Sequence, residues 1–336
     1  MQPNSPYLRA EVSTTRVMFK VLLALLPAIA AYVWQFGPGI LIQLALASVT
    51  ALTCEAFMLA LRKRPIRAYL ADLSALVTAW LIALAFPAIA PWWLVVTGTA
   101  IAIVVAKHLY GGLGQNPFNP AMVAYALMIV AFPSLMSQWP AAGLDLLGQV
   151  QAIFGHADPA ARTIDAIASA TPLDTLRTGL RVPGATVETV MHSPVFGWAG
   201  GKSWEWITAG YLLGGLWLWQ QRVITWHIPL AFLGTLTVIS GIFWLIHPAA
   251  YASPLLHVAA GGSLLGAFFI LTDPVSASTT PRGKLIYAAG AALLTYLIRA
   301  FGAFPDGVAF ATLLLNICVP LIDMKTQPPV FGHKND

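Results

Sequence analysis

Apolar and polar stretches alternate along the chain in a way that leaves ten apolar runs: 20–36, 40–61, 69–87, 91–108, 119–135, 205–220, 227–246, 255–272, 284–301 and 307–323. A helix rises about 1.5 Å per residue, so roughly 20 residues cross the hydrocarbon core of a bilayer. The runs therefore predict an all-α integral membrane protein of about ten transmembrane helices. Some are short or carry Gly and Pro, which a helix packed among other helices tolerates. One connection stands apart. Residues 136–204 form a long polar-to-neutral segment with Asp158, Arg162, Asp165, Asp174, Arg177 and Glu188, and it divides the runs five and five. The expected organisation is an amino-terminal segment 1–19, a first five-helix half 20–135, the long loop 136–204, a second five-helix half 205–323 and a tail 324–336.

Charge orients this arrangement. Only 9% of the 336 residues are charged and 58% are hydrophobic, too little polar surface for a soluble chain, in which about 25% is charged. The net charge of +5 does not point to nucleic acid, because the basic residues flank apolar runs and form no stripe with interleaved aromatics. Connections 62–67 (Arg62, Lys63, Arg64, Arg67), 107–118 (Lys107), 220–226 (Arg222) and 273–284 (Arg282, Lys284) are basic, whereas 36–39 and 88–91 hold no charge. With both termini on the basic side, 13 of the 18 Lys and Arg lie there. The positive-inside rule then makes both termini cytoplasmic and the 136–204 loop extracytoplasmic. Arg9, Arg16 and Lys20 ahead of the first run, with Ala28-Ile29-Ala30 inside it, also fit a signal peptide; the long polar lead and the many later runs favour a retained first helix. Gly114 with Val123-Ala124-Tyr125-Ala126 is echoed by Gly302 with Val308-Ala309-Phe310-Ala311. Five spans per half reverse the second copy, which predicts an inverted repeat with broken helices near its axis.

Four constellations are candidates for chemistry. In 107–120 (Lys-His-Leu-Tyr-Gly-Gly-Leu-Gly-Gln-Asn-Pro-Phe-Asn-Pro), Asn116 and Asn119 offer amides suited to the edge of a flat heterocycle, and Phe118 or Tyr110 offers a stacking face; the same residues suit a plain turn with Asn caps. In 272–284, Asp273 and a run of hydroxyls precede Arg282 and Lys284, a set fit for a ribityl chain, a phosphate or an ordinary polar loop. In 165–173, Asp165, Ala170 and Thr171 lie in a small-residue stretch with no His or Cys placed to make the threonine a nucleophile. Finally, Glu55, Asp72 and His257 lie within apolar runs and Asp306 at the mouth of the last. Intramembrane carboxylates tend to face a bundle interior or an ion path, although Glu55 has Arg62 and Arg64 as neighbours to pair with and Asp72 suits a helix N-terminal turn. Cys54 and Cys318 sit in apolar runs and build neither a cluster nor a zinc site alone. No strand–GxGxxG–helix unit for a nicotinamide dinucleotide is present.

Ser-Thr-Thr-Arg at 13–16, Gly-Gly-Leu-Gly-Gln-Asn-Pro-Phe-Asn-Pro at 111–120, Thr-Asp-Pro-Val-Ser-Ala at 272–277 and Phe-Pro-Asp-Gly-Val-Ala-Phe-Ala at 304–311 occur in one order over nearly the whole chain. In these the chain resembles the D subunit of the Rnf ion-translocating electron-transport complex, which is similar to the B subunit of the sodium-pumping NADH:quinone reductase. The resemblance implies a covalent FMN, joined through its phosphate to a threonine of an outer loop by a flavin transferase. Against the family's target pattern, Asp165, Ala170 and Thr171 match, while Ala168 and Ser169 replace a hydroxyl residue and a glycine. Thr171 is the implied acceptor, with Thr175 and Thr178 behind it. A second, non-covalent flavin, riboflavin, is implied near the inner face, with Asn116, Phe118 and Asn119 as contacts. The expected protein is a multi-pass subunit of a bacterial inner membrane complex. It would pass electrons between flavins while the assembly moves Na+ or H+, with no complete activity alone, and iron–sulfur clusters would belong to partner subunits. The rival expectations are a small-solute transporter or channel, which an inverted repeat suits equally well, and a purely structural assembly subunit.

Overall fold

The computed structural model describes residues 13–155 and 168–327. All ten apolar runs are mainly helical. Five are continuous helices long and apolar enough to cross a membrane: α1 (Thr14–Phe36), α2 (Gly39–Leu61), α12 (His227–Ile246), α15 (Pro281–Phe301) and α16 (Val308–Thr326). The chain is thus a mostly helical, multi-pass membrane protein. Of the other runs, α11 (Trp204–Gln220) is continuous but shorter. The third run splits into α3 (Ile66–Leu70) and α4 (Ser74–Ala85), and the fifth into α6 (Pro120–Ala131) and α7 (Pro133–Met136). The fourth passes from α5 (Trp92–Ala100) into a π-helical segment, Ile101–His108. The eighth comprises α13 (Pro254–Ala259), α14 (Ser263–Leu265) and a π-helical turn, Gly266–Ile270.

Sequence dictates the breaks. Pro87 and Pro91 bound the turn between α4 and α5, and Pro120 at the first position of α6 cannot donate to a preceding turn. Gly261 holds a left-handed backbone at φ +66° between α13 and α14. Within 136–204 the described part folds into α8 (Leu146–Phe154), α9 (Pro172–Gly179) and α10 (Val187–Met191). A two-residue antiparallel ladder pairs β1 (Trp139–Pro140) with β2 (Ala168–Ser169). Gln149 of α8 plugs the turn between α1 and α2: its side chain accepts from the Gly39 N–H at 2.6 Å and donates to the carbonyls of Phe36 and Leu144.

The helices pack α1 along α11, α12 along α15, α15 on α16 and α2 on α4. Cross-links gather the basic connections at one end of the bundle. Lys20 Nζ donates to Gln221 Oε1, Arg62 Nη1 to the Gly111 carbonyl, Thr15 Oγ1 to the Ala71 carbonyl and Lys284 Nζ to Thr225 Oγ1. The α1–α11 contact depends on small residues. Gly210 and Gly214 lie one helical turn apart and face Ala24 and Ala28, the spacing that lets two membrane helices meet backbone to backbone. A Cβ on Gly210 would stand 2.5 Å from Ala28 Cα, and one on Gly214 would run into the Ala24 carbonyl. Gly210→Ala and Gly214→Ala are each expected to lower stability by about 1–3 kcal/mol through overpacking. Gly234→Ala on α12, where a Cβ meets nothing within 4 Å, should be neutral or stabilising by up to about 1 kcal/mol. Thermal unfolding in detergent tests the contrast; equal melting of all three variants would contradict this packing.

Candidate functional site

Two cavities lie along the axis of the bundle, one towards each end. The first, about 1020 Å³ of empty space with its mouth included, opens among α9, the 132–140 connection and the starts of α11 and α16. Tyr32, Tyr125, Trp139, Trp204 and Tyr211 line it, with Met122, Leu265 and Ile270 deeper in the bundle. Trp139 meets Trp204 edge-on with ring centroids 5.0 Å apart, and Trp204 meets Tyr32 at 6.0 Å. Such faces suit a flat aromatic ring. Tyr32, 1% exposed, has a buried hydroxyl that lies near the Ala88 backbone N–H and donates to no acceptor among the described residues.

Thr171 stands on the lip of this cavity. The ladder with β1 leads the chain in, Pro172 opens α9, and the Thr171 hydroxyl accepts from the Asp174 N–H at 3.3 Å as the helix N-cap. Of the three candidate acceptors, Thr171 lines the cavity and Thr175 and Thr178 do not; Thr178 is turned to the Asp174 carbonyl at 2.7 Å. Ala170 is exposed just before the cap, and Asp165 lies outside the described residues. The inner wall is held by charge. Arg299, 7% exposed, donates to Asp306 Oδ1 from Nε and Nη2 at 3.2 and 3.0 Å, to the His257 carbonyl and to Ser263 Oγ. Asp306 Oδ2 accepts from the Gly262 N–H at 2.6 Å.

The second cavity, about 1300 Å³ of empty space, lies at the basic end. Asn116, Asn119, Thr272 and Asp273 line it together, so the 107–120 and 272–284 constellations form one site. Their polar groups also serve the fold. Asn119 caps α6 by accepting from Met122 N–H, donates Nδ2 to the Ile270 carbonyl at 3.3 Å, and its own N–H meets Asn316 Oδ1 at 3.1 Å. Asn116 Nδ2 donates to the Phe118 carbonyl. Asp273 accepts from Ser276 Oγ and the Val275 N–H, and its burial outweighs these bonds and raises its carboxyl above the usual range. Phe118 is not on the cavity wall; its ring lies edge-on to Tyr110 at 6.5 Å.

Beside this cavity lies a buried charge cluster. Lys107 Nζ donates to both Glu55 carboxylate oxygens and to Ser74 Oγ, all at 2.9 Å, and His108 Nε2 is 3.1 Å from Glu55 Oε2. The π-helical segment that ends α5 brings these two consecutive residues to one carboxylate. Lys107 and Ser74 also line the cavity.

The model of the family described as NQR2, RnfD, RnfE matches residues 1–332. The chain belongs to this family. Relatives in Salmonella paratyphi A, Salmonella typhi and Citrobacter koseri each bear the name of the D subunit of an ion-translocating oxidoreductase complex. Each is 50% identical over 345 aligned residues, covering 98% of both chains.

In this member of the NQR2, RnfD, RnfE family, Glu55 pairs with Lys107 rather than with Arg62 or Arg64; Arg62 instead approaches His108 Nδ1 at 3.5 Å. Asp72 stands apart from that cluster and accepts from the Ser74 N–H at the start of α4, the turn position its spacing suggested. Lys107 was legible only as a loop charge, yet it is 2% exposed; the signal was its place inside the apolar run 91–108. Sequence reasoning did not single out Tyr32 or Arg299 at all. A buried pair has a testable signature. Glu55→Gln strands the Lys107 ammonium and should cost about 3–5 kcal/mol, whereas Glu55→Leu with Lys107→Met should cost less than either single change. Thermal unfolding of wild type and these four variants reads this directly, and a double variant worse than both singles would count against it.

Proposed function

We propose that this chain is the membrane subunit of an ion-translocating oxidoreductase complex, and that it carries electrons across a bacterial inner membrane on two bound flavins. Membership of the NQR2, RnfD, RnfE family and the names of its relatives support the subunit assignment. The observation that carries the flavin reading is the Thr171 hydroxyl on the lip of an aromatic cavity, at a helix N-terminus.

That cavity fits the implied group. A phosphoryl group on Thr171 would sit at the N-terminal end of α9, where the helix dipole favours an anion. Asp174 in the first turn opposes it, tempered by Arg177 at 3.7 Å. The Tyr and Trp faces offer stacking, and the Tyr32 hydroxyl proton, with no acceptor among the described residues, offers a donor to a ring carbonyl or nitrogen. The bound flavin supplies one- and two-electron redox chemistry. The protein's contribution is to tether the group, orient the ring and keep water from it. Riboflavin is assigned to the second cavity, against Asn116, Asn119 and Asp273, with Phe118 one layer out.

In this reading the basic end is cytoplasmic, both termini lie there, and 136–204 with Thr171 is extracytoplasmic, where a flavin transferase reaches it. An inverted repeat of five plus five spans is supported by paired anchors. Lys107 donates to Ser74 at the start of α4, and Arg299 donates to Ser263 at the start of α14, at opposite ends of the bundle. Partner subunits supply the electron donor and acceptor and complete the movement of Na+ or H+.

The test is ultraviolet fluorescence of the denatured protein in a gel, comparing wild type with Thr171→Ala, both made with the transferase. A fluorescent wild-type band and a dark variant are expected. Dark bands in both, beside a fluorescent control substrate, would overturn the covalent-flavin reading.

A further inference from the structure

The stretch around Thr171 is held from two sides. Upstream, Ala168 and Ser169 pair with β1, which follows α7. Downstream, α9 carries Leu173, Leu176 and Leu180 at helical spacing, and these pack with Val187 of α10 on Ala252, Leu256 and Ala260. They form a small apolar core apart from the main core of the bundle, and the Val187 N–H adds a bond to the Ala249 carbonyl at 2.8 Å. Two glycines let the first turn of α9 approach closely. A Cβ on Gly201 would run into the Pro172 ring. A Cβ on Gly261 would stand 2.5 Å from Asp306 Oδ2, 2.6 Å from Leu173 Cδ1 and 3.0 Å from Arg299 Nη2. Leu173 therefore rests on a bare backbone turn that the Arg299–Asp306 pair also touches. That pair fixes the turn along its length. Arg299 takes the His257 carbonyl before it and Ser263 Oγ after it, and Asp306 takes the Gly262 N–H within it.

A buried ion pair adds little net stability over an apolar substitute; what this one supplies is a fixed course for the 257–263 segment. We propose that Arg299 and Asp306 are positioning residues for Thr171: acting through Gly261 and Leu173, they seat the first turn of α9 so that a group tethered to the Thr171 oxygen points into the aromatic cavity. That the tethered group is a flavin rests on the reading above; the seat does not. The chain is short enough to transmit the effect. Thr171 and Leu173 are two residues apart, at most about 7 Å of chain, and both line the cavity mouth with Gly261 and Asp306. Arg299 is not on the cavity wall, so it acts only through Asp306 and the turn. A change at the seat, made without touching the Thr171 hydroxyl, swings the tether off the lip.

Two experiments test it. An excited flavin is quenched by electron transfer from a tyrosine or tryptophan ring in contact with it, so a flavin seated against Trp139 and Trp204 should be dim in the native protein and bright once denatured. The full chain is made with the transferase and purified in detergent. In Leu173→Ala and in Asp306→Asn, denatured-gel fluorescence should equal wild type, while native flavin emission rises several-fold and its anisotropy falls. Leu173→Met, which keeps the side-chain volume, should match wild type. The double variant Leu173→Ala with Asp306→Asn should be no brighter than Leu173→Ala alone. Unchanged native emission in either single variant, a bright Leu173→Met, or a double variant brighter than Leu173→Ala would overturn the proposal. The second experiment needs no flavin. In a Cys54→Ala, Cys318→Ala background, Leu176→Cys, 7% exposed in the core under α9, should react slowly with a small thiosulfonate and many times faster once Asp306→Asn is added. Leu236→Cys, in the main core, should stay protected in both. Equal rates at Leu176→Cys with and without Asp306→Asn, or exposure of Leu236→Cys, would also overturn it. A wild-type chain without flavin would refute the functional reading and leave the labelling to decide the seat.

Discussion

The arrangement depends on one constraint: a backbone polar group in apolar surroundings must find a partner inside the protein. Three of the ten apolar runs are broken, and these breaks and the turns between runs expose backbone groups to hydrocarbon unless side chains reach them. They do so consistently. Gln43 Nε2 donates to the carbonyls of Ala88 and Ala90 between α4 and α5. Thr208 takes the Ala259 carbonyl, Ser263 and Arg299 take the His257 carbonyl, and Asn316 takes the Ser276 carbonyl. The buried polar side chains are therefore mostly stitches, each closing a break left by a Pro or Gly.

Breaks stitched from the side leave space along the axis, and both cavities open beside them. Asn119 shows how closely support and site coincide, since it caps α6, holds the π-helical turn and lines the basic-end cavity at once. A ligand there would meet groups already fixed in direction by the fold, which is the preorganisation a binding site requires. The buried charges follow the same logic. Glu55 and Lys107 cancel one another beside one cavity, as Arg299 and Asp306 do beside the other. Each pair thereby adds polar groups beside its cavity without adding net charge to the apolar interior.

Run length and hydropathy made the ten helical segments legible, because a stretch of apolar residues in a chain this poor in charge has few other uses. The breaks were only half legible. Asn116-Pro117 and Asn119-Pro120 announced one; Ala260-Gly261-Gly262, lying inside an apolar run, did not. That the 107–120 and 272–284 constellations share a cavity was beyond sequence, since nothing local links Asn119 to Ile270 across the fold. Tyr32 and Tyr211 were invisible for the opposite reason: an aromatic residue in an apolar run looks like core until its neighbours leave a gap beside it. Lys107 was misleading, because a lysine at the end of an apolar run obeys the positive-inside rule whether it points to water or, as here, to a buried carboxylate.

The place of Thr171 outside the helical runs follows from the same constraint. An acceptor threonine within a span would spend its hydroxyl on the carbonyl four residues back, as Thr53, Thr237 and Thr312 do. Thr171 caps a helix instead, and the bond its oxygen accepts is long at 3.3 Å, leaving the hydroxyl proton uncommitted. Pro172 behind it withdraws the one backbone N–H that would compete at the first helical position. A small-residue approach through Ala168, Ser169 and Ala170, paired only at Ala168 and Ser169 with β1, keeps bulk away from the oxygen. Under the proposed flavin reading, modification of Thr171 would need no nucleophile-activating neighbour in this chain, since a transferase would bring its own chemistry; the chain would only have to hold an unobstructed hydroxyl at the mouth of the cavity.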